Sequence, residues 1–361
     1  MREAAVPQHR GKPNVVWRRS LFSCLLPWLL ALPFDTAFAV GMGLEDARHL
    51  LARTTFGPSI AQVRAYSTLT REQAVRRLLD EPAAAQVLPA PSWVTEPLTP
   101  LRVQRNATPE ERRRLLEREA QRGLELRSWW LGEMLASQAQ LRERMTLFWH
   151  GHFTTSQQKV RQVQLLYRQN QLLRRHALGN FAELLHAIGK DPAMVIYLDS
   201  ASNRRGQPNE NFAREVMELF TLGEGHYSEA DVREAARAFT GWSIDPESGE
   251  FLWRAGVHDS GEKTVLGRSG RFDGDAVLDI LLEQSRAAEH IVERLWREFV
   301  SPQPDAAEVR RIAAAFRGAR YDISTALREL LGSRQFWSAD NRSEEHTSEL
   351  QSRLHLVCRL L

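Results

Sequence analysis

The stretch Phe148-Trp-His-Gly-His-Phe-Thr-Thr-Ser156 sets two histidines one residue apart among aromatic side chains. Imidazole binds metals and exchanges protons near neutral pH, so His150 and His152 are candidates for a ligand pair or for acid/base work. The spacing makes a pair only on a strand, where residues i and i+2 share a face; on a helix they diverge by about 200°. The run before them has helical pattern and Gly151 suggests a helix end, so a packed structural role competes with a chemical one.

The densest polar constellation is Pro208-Asn-Glu-Asn-Phe-Ala-Arg-Glu-Val-Met-Glu-Leu-Phe220. Regular helical spacing puts Asn211, Glu215 and Glu218 on one stripe and Glu210 with Arg214 on another, beside the apolar Phe212, Val216, Leu219 and Phe220. Charges so near a core-facing stripe either pair internally or present a site, and Asn209 or Asn211 also makes a good N-cap. A third cluster, His258-Asp-Ser-Gly-Glu-Lys263, gathers His258, Asp259 and Lys263 on a glycine-rich loop. Asp199 and Asn203 in YLDSASN end a helix and are placed to face the same cleft. Neither a nucleophile elbow, a P-loop, a dinucleotide fingerprint nor a His-Glu-x-x-His helix occurs in the chain.

The elements that must position these groups are almost all helices. Thr70 with Gln73 and Thr108 with Glu111 carry capping-box spacing, and Pro109 follows as a first helical residue. Short amphipathic helices are predicted over 44–53 and 70–79, a loop over 82–100, and a long helix from Thr108 to about Ser137 with a charged first half. Apolar periodicity then runs through 141–149, 157–175, 181–189 and 193–198, and a helix over 209–222 is stopped by Gly223. Ser228 and Asp231 cap the next, and four more are predicted over 273–282, 286–300, 305–316 and 323–331. Only the segment around 243–271 lacks a helical period. The fold class is therefore all-α: a multi-helix globular body with a short glycine-rich irregular or β-hairpin insertion.

Both ends read differently from the body. Residues 1–39 have the layout of a signal peptide, with Arg18 and Arg19 before the apolar run 21–34 and a small-x-small site at Ala37-Phe-Ala39. A run so short is not a membrane span, so the mature chain is expected to begin near Val40, exported to the periplasm or beyond, with no stable span after signal removal. Arg18-Arg19-Ser20-Leu21-Phe22 also loosely resembles a twin-arginine signal. Residues 342–361 continue no earlier pattern and read as translated adapter sequence; as native sequence they would be a polar linker into a short apolar helix.

The whole chain has 48 Lys+Arg against 45 Asp+Glu, but removing five basic and two acidic residues before Val40 and three of each after Asn341 leaves 40 of each. The body is electrically balanced and offers no basic surplus for nucleic acid. Cys24 and Cys358 both fall in the end segments, so the body, residues 40–341, must hold itself by its core, which about three hundred residues suffice to build.

In order, HLLARTTFGPS, FWHGHFTTS, MVIYLDSASN, the run from NENFAREVMELF to RAFTGW and HDSGEKTVLG resemble the bacterial DUF1800 family from about Leu44 to Asn341. The resemblance implies an exported, largely helical protein, with His150, His152, Asp199, Asn209, Glu210, Asn211, Arg214, Glu215, Glu218, His258, Asp259 and Lys263 as family-pattern positions of unassigned role. It further implies gene neighbours of the DUF1501 family, similar to sulfatases and alkaline phosphatases, and about another hundred helical residues after FWSADN, the size of a small domain. Two functions are expected. One is a hydrolase whose cleft unites the three motifs, with a histidine or glutamate activating water, with or without a metal, and Arg214 or Lys263 stabilising negative charge. The other is a non-catalytic envelope scaffold or accessory to a DUF1501 partner. Substrate, cofactor and oligomeric state are not specified by the sequence.

Overall fold

The computed structural model describes residues 40–81 and 87–342. The chain divides into Met1–Ala39 and Val40–Leu361, and every described residue lies in the second unit. The signal-peptide and adapter-tail expectations fall outside the described residues, save Arg342.

The all-α expectation holds. Near the amino end lie α1 (Gly43–Thr54), α2 (Ile60–Ser67) and α3 (Arg71–Leu79). Ser59 and Thr70 close capping boxes with Gln62 and Gln73, satisfying amides that have no intrahelical partner. The loop expected over 82–100 is followed by a short helix, α4 (Leu101–Asn106), and then by α5 (Pro109–Ala136), whose Thr108–Glu111 box and first-position proline are as predicted. Only the second half of α5 is buried, where Leu126, Trp129, Trp130 and Met134 build a smaller core with Trp93, Val160, Val163 and Leu166.

The main core joins buried residues of α1–α3 to the helices that follow, in order α6 (Gln140–His152), α7 (Val163–His176), α8 (Phe181–Gly189), α9 (Pro192–Tyr197), α10 (Asn211–Glu215) and α11 (Glu229–Ala238). After the insertion come α12 (Gly274–Glu283), α13 (Ser285–Phe299), α14 (Ala306–Gly318) and α15 (Ile323–Leu331). Among the described residues no helix is long and apolar enough to cross a membrane.

Three local expectations are corrected. Helix α7 begins at Val163, not near 157, because residues 157–162 form turns whose polar side chains reach α5 and the 93–99 segment, with Gln157 Nε2 bonding Glu119 O and Gln162 Nε2 bonding Thr99 O. The helix expected over 209–222 is α only as far as Glu215; Val216–Thr221 is a π-helix, in which the Leu222 amide bonds Met217 O five residues back. The insertion is two hairpins, not one. Strands β1 (Trp242–Ile244) and β2 (Phe251–Trp253) pair antiparallel with Trp242 opposite Trp253. Strands β3 (Lys263–Val265) and β4 (Arg268–Gly270) pair with Lys263 opposite Gly270, joined by Leu266 and Gly267, both at positive φ as a tight two-residue turn requires.

Candidate functional site

His150 and His152 both lie on the last turn of α6, and helical geometry sends them apart. His150 is 1% exposed and meets the Trp130 ring edge-on at 4.9 Å; neither ring nitrogen has a hydrogen-bond partner among the described residues. Burial alone pushes its pKa down to about 4. His152 stands against Phe153, Phe181 and Phe220, and its Nε2 donates to Phe220 O at 3.2 Å. Its pKa lies well below the usual value, through burial first and then the nearby Arg294 and His290. The two rings therefore do not form one ligand pair, and no group of three or more His, Cys, Asp or Glu among the described residues is placed to hold a metal ion.

His152 instead completes the end of the π-helix. The wide turn leaves the carbonyls of Leu219, Phe220 and Leu222 without helical donors, and three side chains from elsewhere supply them. His290 Nε2 donates to Leu219 O at 3.0 Å, His152 to Phe220 O, and Arg286 Nε to Leu222 O at 2.9 Å. Sequence reasoning missed His290 and Arg286, because nothing in the α13 pattern marks them.

The motif on α10 divides in the same way. Asn209 Oδ1 caps the Asn211 amide at 2.9 Å, its Nδ2 bonds Ser202 Oγ, and its own amide is held by Asn203 Oδ1. Arg214 binds Glu210 and both carboxylate oxygens of Glu229, the first residue of α11. The stripe expected to carry Asn211, Glu215 and Glu218 is broken by the π turn after Glu215. Glu218 accepts the Tyr227 hydroxyl, whereas Glu215 has no hydrogen bond or ion pair among the described residues. Burial, then the Glu218 charge, raise the Glu215 pKa above the ordinary carboxylate value.

The glycine-rich loop is pinned to α11. His258 Nδ1 donates to Thr240 O at 2.9 Å, and the Asp259 amide donates to Thr240 Oγ1. The Asp259 carboxylate accepts from Arg237 and the Gly261 amide, and Arg237 holds it below the usual aspartate range. Lys263 is 1% exposed, and its Nζ donates to Asp259 O at 2.6 Å and Gly261 O at 2.9 Å. It staples the loop from within, and burial lowers its pKa. Lys263→Met keeps the apolar stem and strands both carbonyls, so it is expected to lower stability by about 1–3 kcal/mol, read as a shifted denaturant midpoint.

These contacts distribute the expected groups among three environments. No hydrogen bond or ring contact among the described residues joins His150 or His152 to His258, Asp259 or Lys263. What does come together is the 199–210 loop and the hairpin. Asp199 adopts a left-handed conformation and pairs with Lys159, Asn203 O accepts the Gly241 amide, and Arg205 N bonds Val257 O. Between them opens a polar cleft of about 730 Å³ whose walls include Asn209, Glu210, Arg204 and Arg254. Neither arginine belongs to a motif visible in the sequence: Arg204 lies between YLDSASN and the Asn209 motif, and Arg254 lies in the insertion.

A family model described as "Protein of unknown function (DUF1800)" matches residues 49–353, a span that runs past Asn341. No curated protein matches the chain, and no solved structure does.

Proposed function

The chain belongs to the DUF1800 family, and from that premise we propose that it is an exported protein that acts by binding, as a scaffold or accessory for a sulfatase-like DUF1501 partner. One observation carries this reading: the cations that a hydrolase built from the three motifs would need are already engaged. Lys263 is bound by two carbonyls, Arg214 by Glu210 and Glu229, and Arg237 by Asp259 and Glu234. A group that stabilises developing charge must be free to meet the substrate, and these are spent on fixing helices and loops to one another. Export rests on the signal-like segment at residues 1–39.

The test is co-expression with the neighbouring DUF1501 protein and affinity purification of either one. The expected result is a complex at about micromolar concentration, retained in Glu215→Ala and His258→Ala, with the partner's activity unchanged between wild type and these variants. Absence of a complex at that concentration overturns the reading.

A hydrolytic reading keeps one observation in its favour, the unpartnered Glu215 with its raised pKa beside Glu218. A carboxyl that holds its proton more tightly than an ordinary glutamate suits a general-acid role. Turnover of a chromogenic ester, glycoside, phosphate or sulfate that disappears in Glu215→Gln would support it; activity equal in both proteins would remove it.

A further inference from the structure

We propose that the cleft between the 199–210 loop and the β1–β2 hairpin binds an acidic saccharide: a sugar ring carrying a carboxylate or a sulfate. The argument begins with which polar groups are already used. Ser202 Oγ donates to Asp199 O and accepts from Asn209, and Asn209 Oδ1 caps Asn211, so these residues form a fixed wall. Arg204 spends Nε and Nη2 on Gln207 Oε1, which orients the guanidinium and leaves Nη1. Arg254 lines the same cleft, is exposed, and has no side-chain hydrogen bond or ion pair among the described residues. Glu210, on the same loop as Arg204, accepts from Arg214 with one carboxylate oxygen and keeps the other.

The free charge is thus two guanidinium groups against one half-engaged carboxylate, which selects an oxyanion and leaves an acceptor for a hydroxyl donor. The rim adds the second half of the argument. Trp253 is 51% exposed, although its register partner Trp242 is buried. The exposed indole lies across Gly241: a Cβ built there would come within 3.4 Å of Trp253 Nε1 and 2.9 Å of Arg254 O. Gly241, at φ +92°, lines the cleft, and its missing side chain leaves room for the Arg254 carbonyl and the Trp253 indole beside that cleft. An indole half in water beside a hydrogen-bonding cleft suits a ligand with one apolar face and polar edges. A sugar ring has this form, its C–H bonds on the face and its hydroxyls at the edge.

The test is calorimetric titration of the full chain with trigalacturonate, a heparin hexasaccharide and uncharged maltotriose, with AMP and inorganic sulfate beside them. One acidic saccharide is expected to bind at least about tenfold more tightly than maltotriose, as one charge-assisted bond implies. Preference for trigalacturonate or for the heparin fragment tells a carboxylate from a sulfate. Arg254→Gln and Trp253→Ala, both exposed and shown folded by circular dichroism, are each expected to weaken binding by about tenfold. Binding equal to wild type in both variants overturns the proposal. So does AMP or sulfate binding as tightly as the saccharide, or no saccharide binding at millimolar concentration.

Discussion

Replacing Glu143 by alanine is expected to destabilise the protein by about 3–5 kcal/mol, because it strands an arginine whose side chain is only 11% exposed. Glu143 is 3% exposed near the start of α6, and both its oxygens accept from Arg174 near the end of α7, at 2.7 and 2.9 Å. Arg174 also donates to Asn170 Oδ1 and lies 5.2 Å from the centre of the Trp129 ring, so it links α6, α7 and the buried half of α5. Without the carboxylate that guanidinium has no counter-charge at hand, and the desolvation it suffered on folding is no longer offset. Thermal unfolding should show a fall in Tm of roughly 5–15 °C. The double variant Glu143→Leu with Arg174→Met removes the charge with its partner and is expected to recover most of the loss. If the single variant unfolds as wild type does, the bidentate pair has no such role.

His150→Phe is expected to leave stability at pH 7.5 within about 1.5 kcal/mol of wild type, as a near-isosteric swap of a ring whose nitrogens make no hydrogen bond. Between pH 7.5 and pH 4.5 the stability difference should move by about 2–3 kcal/mol in the variant's favour. The sign follows from the depressed pKa. Unfolded, the imidazole takes up a proton below about 6.5; folded, it resists protonation until about 4. The stabilisation of the neutral ring is complete above 6.5 and is lost as pH falls from there to 4. His49, also held near 4 by burial, titrates in the same sense.

Asp191 opposes them. Fully buried, capping α9 and bonded to Gln169, it is pushed up to about 7, so the folded state gains relative stability as pH falls below 7. The wild-type profile mixes these contributions, and the difference between wild type and His150→Phe isolates one. Urea midpoints at the two pH values give that difference directly, and parallel shifts in both proteins would sink the assignment.

Much of the architecture was legible because it is written in short range. The boxes at Thr70–Gln73, Thr108–Glu111 and Ser228–Asp231 each join residues three apart, and the helices they open begin where the spacing says. Helix α2 has the same signature at Ser59–Gln62 but was not predicted, since Ile60 is exposed and Tyr66 is its only buried residue. The π-helix could not be read at all: alternation of Glu, Val, Met, Leu and Phe looks the same to either winding. It is held by His152, His290 and Arg286, 68, 71 and 64 residues from the carbonyls they cap.

The sequence by itself determined the helical class, most helix boundaries and which segments are rich in groups able to do chemistry. Tertiary structure decided which of those groups remain available. His150 and His152 look equivalent one residue apart, yet the helix turns one into an aromatic pocket and the other onto a distant carbonyl. Lys263 and Arg254 look equally free, yet one is consumed by its own loop and the other faces a cleft. Composition and spacing state what a side chain is able to donate or accept. Only the folded chain fixes whether a partner from elsewhere has already taken it, because burial makes an unmet polar group costly and so favours a partner for it.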